Sequence, residues 1–182
     1  MKSFKLLVTL VPVWLATGLL GCSNNPPKSP DVTDSIRRSL DQSGYKDVSV
    51  SQDRDKGVVT LTGTVPTETD KQQAESIAKS NAPNLVVADQ IAVRPPGNES
   101  EAKAVDSDLD KAIEKNLDAT LIKHRLKKNV KYDVKNGVVT LKGDVPSQTK
   151  REQVEKLAGS IPNVKQVVNE IEVKNQKATS TS

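Results

Sequence analysis

Few side chains in this sequence have the type and spacing needed to make or break bonds. His124 is the single histidine and Cys22 the single cysteine, and no serine or threonine has an evident base beside it. The carboxylate pairs Asp53/Asp55 and Asp108/Asp110 fall in a predicted turn and at a predicted helix start. Turn chemistry and the helix dipole account for such pairs there. A metal would need several converging ligands, and no cofactor is expected. Gly57, Gly63, Gly137 and Gly143 lack the spacing of a phosphate-cradling loop that opens a helix, so their roles are read as backbone roles. The chain is therefore expected not to be an enzyme. Fixed charge is the chemistry that remains, concentrated in Lys123-His124-Arg125-Leu126-Lys127-Lys128-Asn129-Val130-Lys131. Each Lys or Arg close to an anionic membrane surface contributes about 1 kcal/mol, and interleaved apolar residues can insert shallowly among headgroups. The candidate anionic-phospholipid contacts are Leu121, Ile122, Lys123, Arg125, Lys127, Lys128 and Lys131, with Leu126 among them. The alternative reading of this run is a solvated loop.

The elements that would position it are written twice. Gly57-Val58-Val59-Thr60-Leu61-Thr62-Gly63-Thr64-Val65-Pro66 returns as Gly137-Val138-Val139-Thr140-Leu141-Lys142-Gly143-Asp144-Val145-Pro146, and about sixteen of thirty-seven positions match without a gap. Such self-similarity marks two copies of one small domain. In the first copy, Val32, Ile36 and Leu40 give a helical stripe ended by Gly44. Val48 and Val50 alternate as a strand, and a second strand ends at Pro66, with Gly63 marking a bulge or close backbone approach. Thr67 with Asp70 caps a helix carrying Ala74, Ile77 and Ala78, and Leu85 to Val93 closes the unit. In the second copy, Ser107 with Asp110 resembles a capping box opening a helix with Leu109, Ile113, Leu117 and Leu121. Val130, Tyr132 and Val134 alternate, Asn136-Gly137 makes a tight hairpin turn, and Ser147 caps a helix carrying Val154, Leu157, Ala158 and Ile161. The first hairpin is longer by about two residues, pairing Val48 and Val50 with Val130 and Tyr132. Each copy is near the lower size limit for a self-sufficient core, so contact between copies can add stability.

The first twenty-two residues stand apart. Lys2 and Lys5 precede an apolar stretch, Leu6 to Leu20, and Leu19-Leu20-Gly21-Cys22 follows, the pattern of a secretory signal. Its end resembles the lipobox of bacterial lipoproteins, which implies acylation of Cys22 and, with Ser23 next, sorting to the outer membrane. The other reading is an ordinary cleaved signal with a stray cysteine. Residues 23–30 read as a proline-rich tether, 95–106 as a linker and 175–182 as a disordered tail. Losing Lys2 and Lys5 with the leader lowers the formal charge from +4 to +2. Tyr45 and Tyr132 are then the only aromatics, so nucleic acid is not an expected partner. Residues 31–95 carry eight basic and ten acidic side chains, whereas 107–175 carry fourteen and ten. The excess of positive charge belongs to the second copy.

Gly-Val-Val-Thr-Leu-x-Gly-x-Val-Pro, a helix, and then Val-x-Asn-x-Ile-x-Val together resemble the BON family (bacterial OsmY and nodulation), over 31–94 and 107–174. Near the end of the first copy, Asn84-Leu85-Val86-Val87 departs from the family pattern and a residue is expected to be missing. The resemblance implies an α+β fold of two αββαβ repeats in an outer-membrane lipoprotein facing the periplasm. It also implies association with phospholipid and a role in envelope integrity under osmotic stress. A second possibility is a scaffolding module that docks to an envelope protein through a sheet edge or the groove between repeats.

Overall fold

The computed structural model describes residues 27–173. The expected leader 1–22 with Cys22, the first part of the tether and the tail 175–182 lie outside the described residues. The fold is α+β, two αββαβ units in tandem. The first comprises α1 (Thr33–Gln42), β1 (Val48–Asp53), β2 (Val58–Val65), α2 (Glu68–Asn81) and a closing strand in two pieces, β3 (Val86–Asp89) and β4 (Ala92–Val93). The second comprises α3 (Glu99–Lys123), β5 (Val130–Lys135), β6 (Val138–Val145), α4 (Gln148–Gly159), β7 (Gln166–Asn169) and β8 (Glu172–Val173). In each unit the long middle strand pairs antiparallel with the first strand and parallel with both closing pieces.

Local chemistry explains the boundaries. Thr67 Oγ1 accepts from the Asp70 amide at 3.1 Å, and Ser147 Oγ accepts from the Lys150 amide at 3.2 Å, each satisfying an orphan donor at a helix start. Asn136 and Gly137 both have positive φ, 51° and 81°, as a two-residue hairpin of this twist requires. Gly63 and Gly143 are close approaches: a Cβ on either would overlap the carbonyl oxygen of Asp47 or Asn129. Val58 opposes Val86 and Val138 opposes Gln166, so the two units keep one register. The residue expected to be missing from the first unit is not missing relative to the second. There α2 runs further and the connection to β3 is correspondingly shorter.

Each unit closes its own core. Ile36 and Leu40 pack with Val59, Leu61, Ala74 and Ala78 in the first, and Ile113, Leu117 and Leu121 pack with Val139, Leu141, Val154 and Ala158 in the second. A cation from the second helix of each unit binds where the closing strand breaks. Lys71 Nζ donates to the Ile91 carbonyl at 2.8 Å, and Arg151 Nε donates to the Ile171 carbonyl at 3.0 Å. Beside them Asp89 and Asn169 accept from the Ile91 and Ile171 amides. Burial holds the Asp89 carboxyl above its ordinary value, opposed by Lys71 at 3.8 Å.

The units also touch. Val58, Ala88, Val138 and Val168 form a small buried cluster where the two sheets meet. The Gln166 amide then behaves as a strand-edge peptide unit, donating to the Val87 carbonyl at 2.7 Å and accepting from the Asp89 amide at 3.1 Å. Asn136 Nδ2 donates to the Gln90 carbonyl at 2.8 Å, and Lys56 pairs with Glu172.

Four expectations are corrected. The 95–106 linker is helical from Glu99, because α3 continues straight through Ser107. Asp110 does not cap that helix: its carboxylate accepts from the Asn136 and Gly137 amides, both at 2.8 Å. Leu109 is exposed and belongs to neither core. Finally, the end of the tether packs. Ser29 exchanges hydrogen bonds with Arg54 on the first hairpin, and Gln52 Nε2 donates to the Pro30 carbonyl at 2.8 Å.

Candidate functional site: the basic end of α3

The basic run begins where α3 ends. The Leu126 amide reaches back to the Leu121 carbonyl at 2.8 Å, and the Arg125 amide to the Ile122 carbonyl at 3.0 Å. This is a Schellman termination, and it brings residue 126 back onto the core beside residue 121. Leu121 and Leu126 are accordingly 0% and 4% exposed. The expectation that either inserts into lipid is therefore corrected, since both are spent closing the second core. Ile122, one position round the helix, is 61% exposed and remains the apolar residue available at the surface here.

The first unit ends α1 in the same way. The Gly44 amide binds the Asp41 carbonyl at 3.1 Å, and the Tyr45 amide binds the Leu40 carbonyl at 2.9 Å. The termination needs a residue with positive φ. Gly44 supplies it at 90° without steric penalty, but in the second unit Arg125 holds that station at 59°. An L side chain there costs about 1–2 kcal/mol. The cost is carried by a fully charged, exposed arginine at the apex of the loop.

The remaining cations separate by environment. Lys123 and Lys128 are exposed, with no side-chain partner among the described residues. Lys127 is engaged: its ammonium binds the Asp118 carboxylate and lies 4.7 Å from the centre of the Tyr132 ring. Hydrogen bonds from Lys127 and then Tyr132 hold Asp118 below the usual carboxylate range, and the bond to Asp118 raises Lys127. Desolvation and the bond to Asp118 push Tyr132 up. Lys131 is exposed on β5 but alternates with inward-facing Val130 and Tyr132, so it lies on the sheet face turned from α3, opposite Lys142. The structure thus brings Ile122, Lys123, Arg125 and Lys128 to one end of α3, neutralises Lys127 in place, and leaves Lys131 on another face.

Ile122, Arg125, Lys127 and Lys128 rim a shallow depression of about 360 Å³. Behind Arg125 lies a second hollow of about 380 Å³, bounded by Asn129, Pro146 and Lys150 among others. Residue spacing alone did not distinguish Arg125 from its neighbours. The available signal was the alignment of Arg125 with Gly44 when the two copies are superposed. Among the described residues there is no group of three His, Cys, Asp or Glu able to hold a metal. No helix among them is long and apolar enough to cross a membrane.

The BON domain family matches residues 29–95 and 106–175. Osmotically-inducible protein Y of Escherichia coli (strain K12) is 29% identical over 146 residues, spanning 79% of this chain and 71% of that protein. An uncharacterized protein in the gshII 5′ region of Anaplasma centrale is 30% identical over 124 residues, spanning 67% of this chain and 80% of that protein. Among solved structures, the C-terminal domain of CdsD, a structural protein of the type III secretion system of Chlamydia trachomatis, is 16% identical. It aligns with 81% of this chain and 99% of its own at a TM-score of 0.34.

Proposed function

Because this chain belongs to the BON domain family in both of its halves, we propose that it is a non-enzymatic envelope protein whose second repeat binds anionic phospholipid. In this reading Cys22 is acylated and anchors the chain to the outer membrane on its periplasmic side, and the protein supports the envelope under osmotic stress. The likeness to osmotically-inducible protein Y supports the stress assignment. The observation that carries the lipid assignment is Arg125, a charged residue held at positive φ where the first repeat has glycine. Strain kept at an exposed position motivates a functional role.

The magnitudes agree with a surface that works together with an anchor. Lys123, Arg125 and Lys128 contribute about 3 kcal/mol at an anionic surface, roughly a hundredfold in partition and easily screened by salt. That gives the untethered protein a weak affinity, visible on vesicles in dilute buffer, and is enough to orient one already tethered. The test is vesicle flotation of residues 27–182. This fragment retains every described core residue, and the Ser29 contact with Arg54 as well. Binding to vesicles containing phosphatidylglycerol in dilute buffer, lost in high salt and absent from neutral vesicles, supports the reading. Equal indifference to both vesicles refutes it.

One observation favours a second reading, docking of an envelope protein by strand addition. The outer edge of β1 presents Ser49, Ser51 and a single charge, Asp53, to solvent, whereas β5 presents Lys131, Asp133 and Lys135, the charges that normally guard an edge. Recovery of a stoichiometric partner that Ser51→Lys abolishes, with no vesicle affinity, would select this reading.

A further inference from the structure

α3 is more than twice as long as its counterpart α1, and its extra turns bear on a surface that neither repeat uses. Three of the four exposed large apolar side chains among the described residues lie on this helix: Val105, Leu109 and Ile122. The buried residues Ile113, Leu117 and Leu121 mark the side facing the second core. Asp106 and Asp110 are held by Arg94 and by the second hairpin, so they face inward as well. The free side is what remains. Val105, Leu109, Ala112, Asn116 and Ala119 follow one another at intervals of four and three, the spacing of a helix–helix seam. All five are exposed.

Charge identifies the occupant. Beside this seam Glu101 and Asp108 lie in the N-terminal half and Lys115 in the C-terminal half, and Lys123 continues the seam four residues beyond Ala119. A parallel copy of the helix would set like charge against like. An antiparallel copy sets Glu101 opposite Lys123 and Asp108 opposite Lys115, and each contact occurs twice by symmetry. The 101/123 pairing centres on Ala112 and the 108/115 pairing within half a residue of it, and the small side chain of Ala112 lets two backbones approach. We propose that this chain forms a twofold homodimer through antiparallel pairing of α3, with Ala112 near the axis. The seam is short and has few large side chains, which places the dimer in the weak, concentration-dependent class. Surface confinement by an anchor would raise its population. The proposal shares Lys123 with the lipid-binding reading, but Asp108 and Lys115 belong to the dimer alone, so reversing those two charges tests it separately.

Sedimentation equilibrium of residues 27–182 without lipid tests it. Dimers should appear as concentration rises. Asp108→Lys or Lys115→Glu alone should weaken the dimer about tenfold, and the two together should restore it. This fragment lacks Cys22, so Ala112→Cys introduces the sole thiol. It should cross-link under mild oxidation much faster than Ala104→Cys, which is also exposed but off the seam. A chain that stays monomeric, with Ala112→Cys no faster than Ala104→Cys, overturns the proposal. So does a dimer that ignores the charge reversals. A monomer whose vesicle affinity falls with Val105→Glu would assign this face to lipid instead, and likewise overturns it.

Discussion

Arg125 and Gly44 occupy the same station of the same helix termination, and the difference between them is the most informative pair in the molecule. Arg125→Gly relieves the strain of an L side chain at positive φ, so it should stabilise the fold by about 1 kcal/mol in urea unfolding while weakening association with anionic vesicles. Opposite signs in the two measurements would separate a functional residue from a merely tolerated one. Asp89 shows the same logic in a buried setting. Burial raises its carboxyl above the ordinary aspartate value, with Lys71 opposing and Glu75 and Glu68 adding. A carboxyl raised in the folded state contributes stability that is fully present below the unfolded value and lost as pH rises through the folded value. Acidification from about pH 7 should therefore add a stabilising term. Asp89→Asn, which copies the Asn169 of the second repeat, should remove it. Urea unfolding across a pH series reads the difference, and parallel curves would contradict it.

At the scale of elements, what was legible in the sequence was what short-range chemistry decides. Thr67 and Ser147 cap, Asn136-Gly137 turns, Gly44 terminates, and the hairpin offset between repeats is as expected, because each depends on residues within a few positions. Where tertiary contact overrode a local signal, the sequence misled. Ser107 with Asp110 has the form of a capping box, yet Asp110 is drawn to the hairpin amides and the helix passes through. Leu121 and Leu126, interleaved with lysines, have the form of an interfacial stripe, yet the 126-to-121 bond folds them into the core. Lys71 and Arg151 carry no such local signal, since a long cation on a helix ordinarily reads as solvated. The glycines of the middle strands provide the element-level prediction. Gly143→Ala adds overlap with the Asn129 carbonyl to the strain of positive φ, so it should cost more than about 2 kcal/mol. Gly44→Ala has open space and should cost only about 1 kcal/mol. Equal losses would mean that the strand accommodates the methyl group.

The whole molecule is two small cores joined by four apolar residues, the side-chain amides of Gln166 and Asn136, and the Lys56–Glu172 ion pair. Each unit is near the size at which a domain is marginal alone, so the joint should couple them. Gln166→Leu leaves the Val87 carbonyl and Asp89 amide unpaired at about 1–3 kcal/mol. It should turn one calorimetric unfolding transition into two. A single unchanged transition would show that the amide does not couple the units. In the proposed function, coupling would give a protein with opposite charge in its two halves one fixed orientation. The first repeat is net negative and the second net positive, so a membrane that attracts one end repels the other. The decisive measurement is flotation of residues 27–182 on phosphatidylglycerol vesicles with three charges removed from one repeat at a time. Replacing Lys123, Arg125 and Lys128 by glutamine should abolish binding, whereas replacing Arg37, Arg38 and Lys46 in the first repeat should leave it nearly intact. Equal loss from both sets would mean that total charge, and not the end of α3, holds the protein to the membrane.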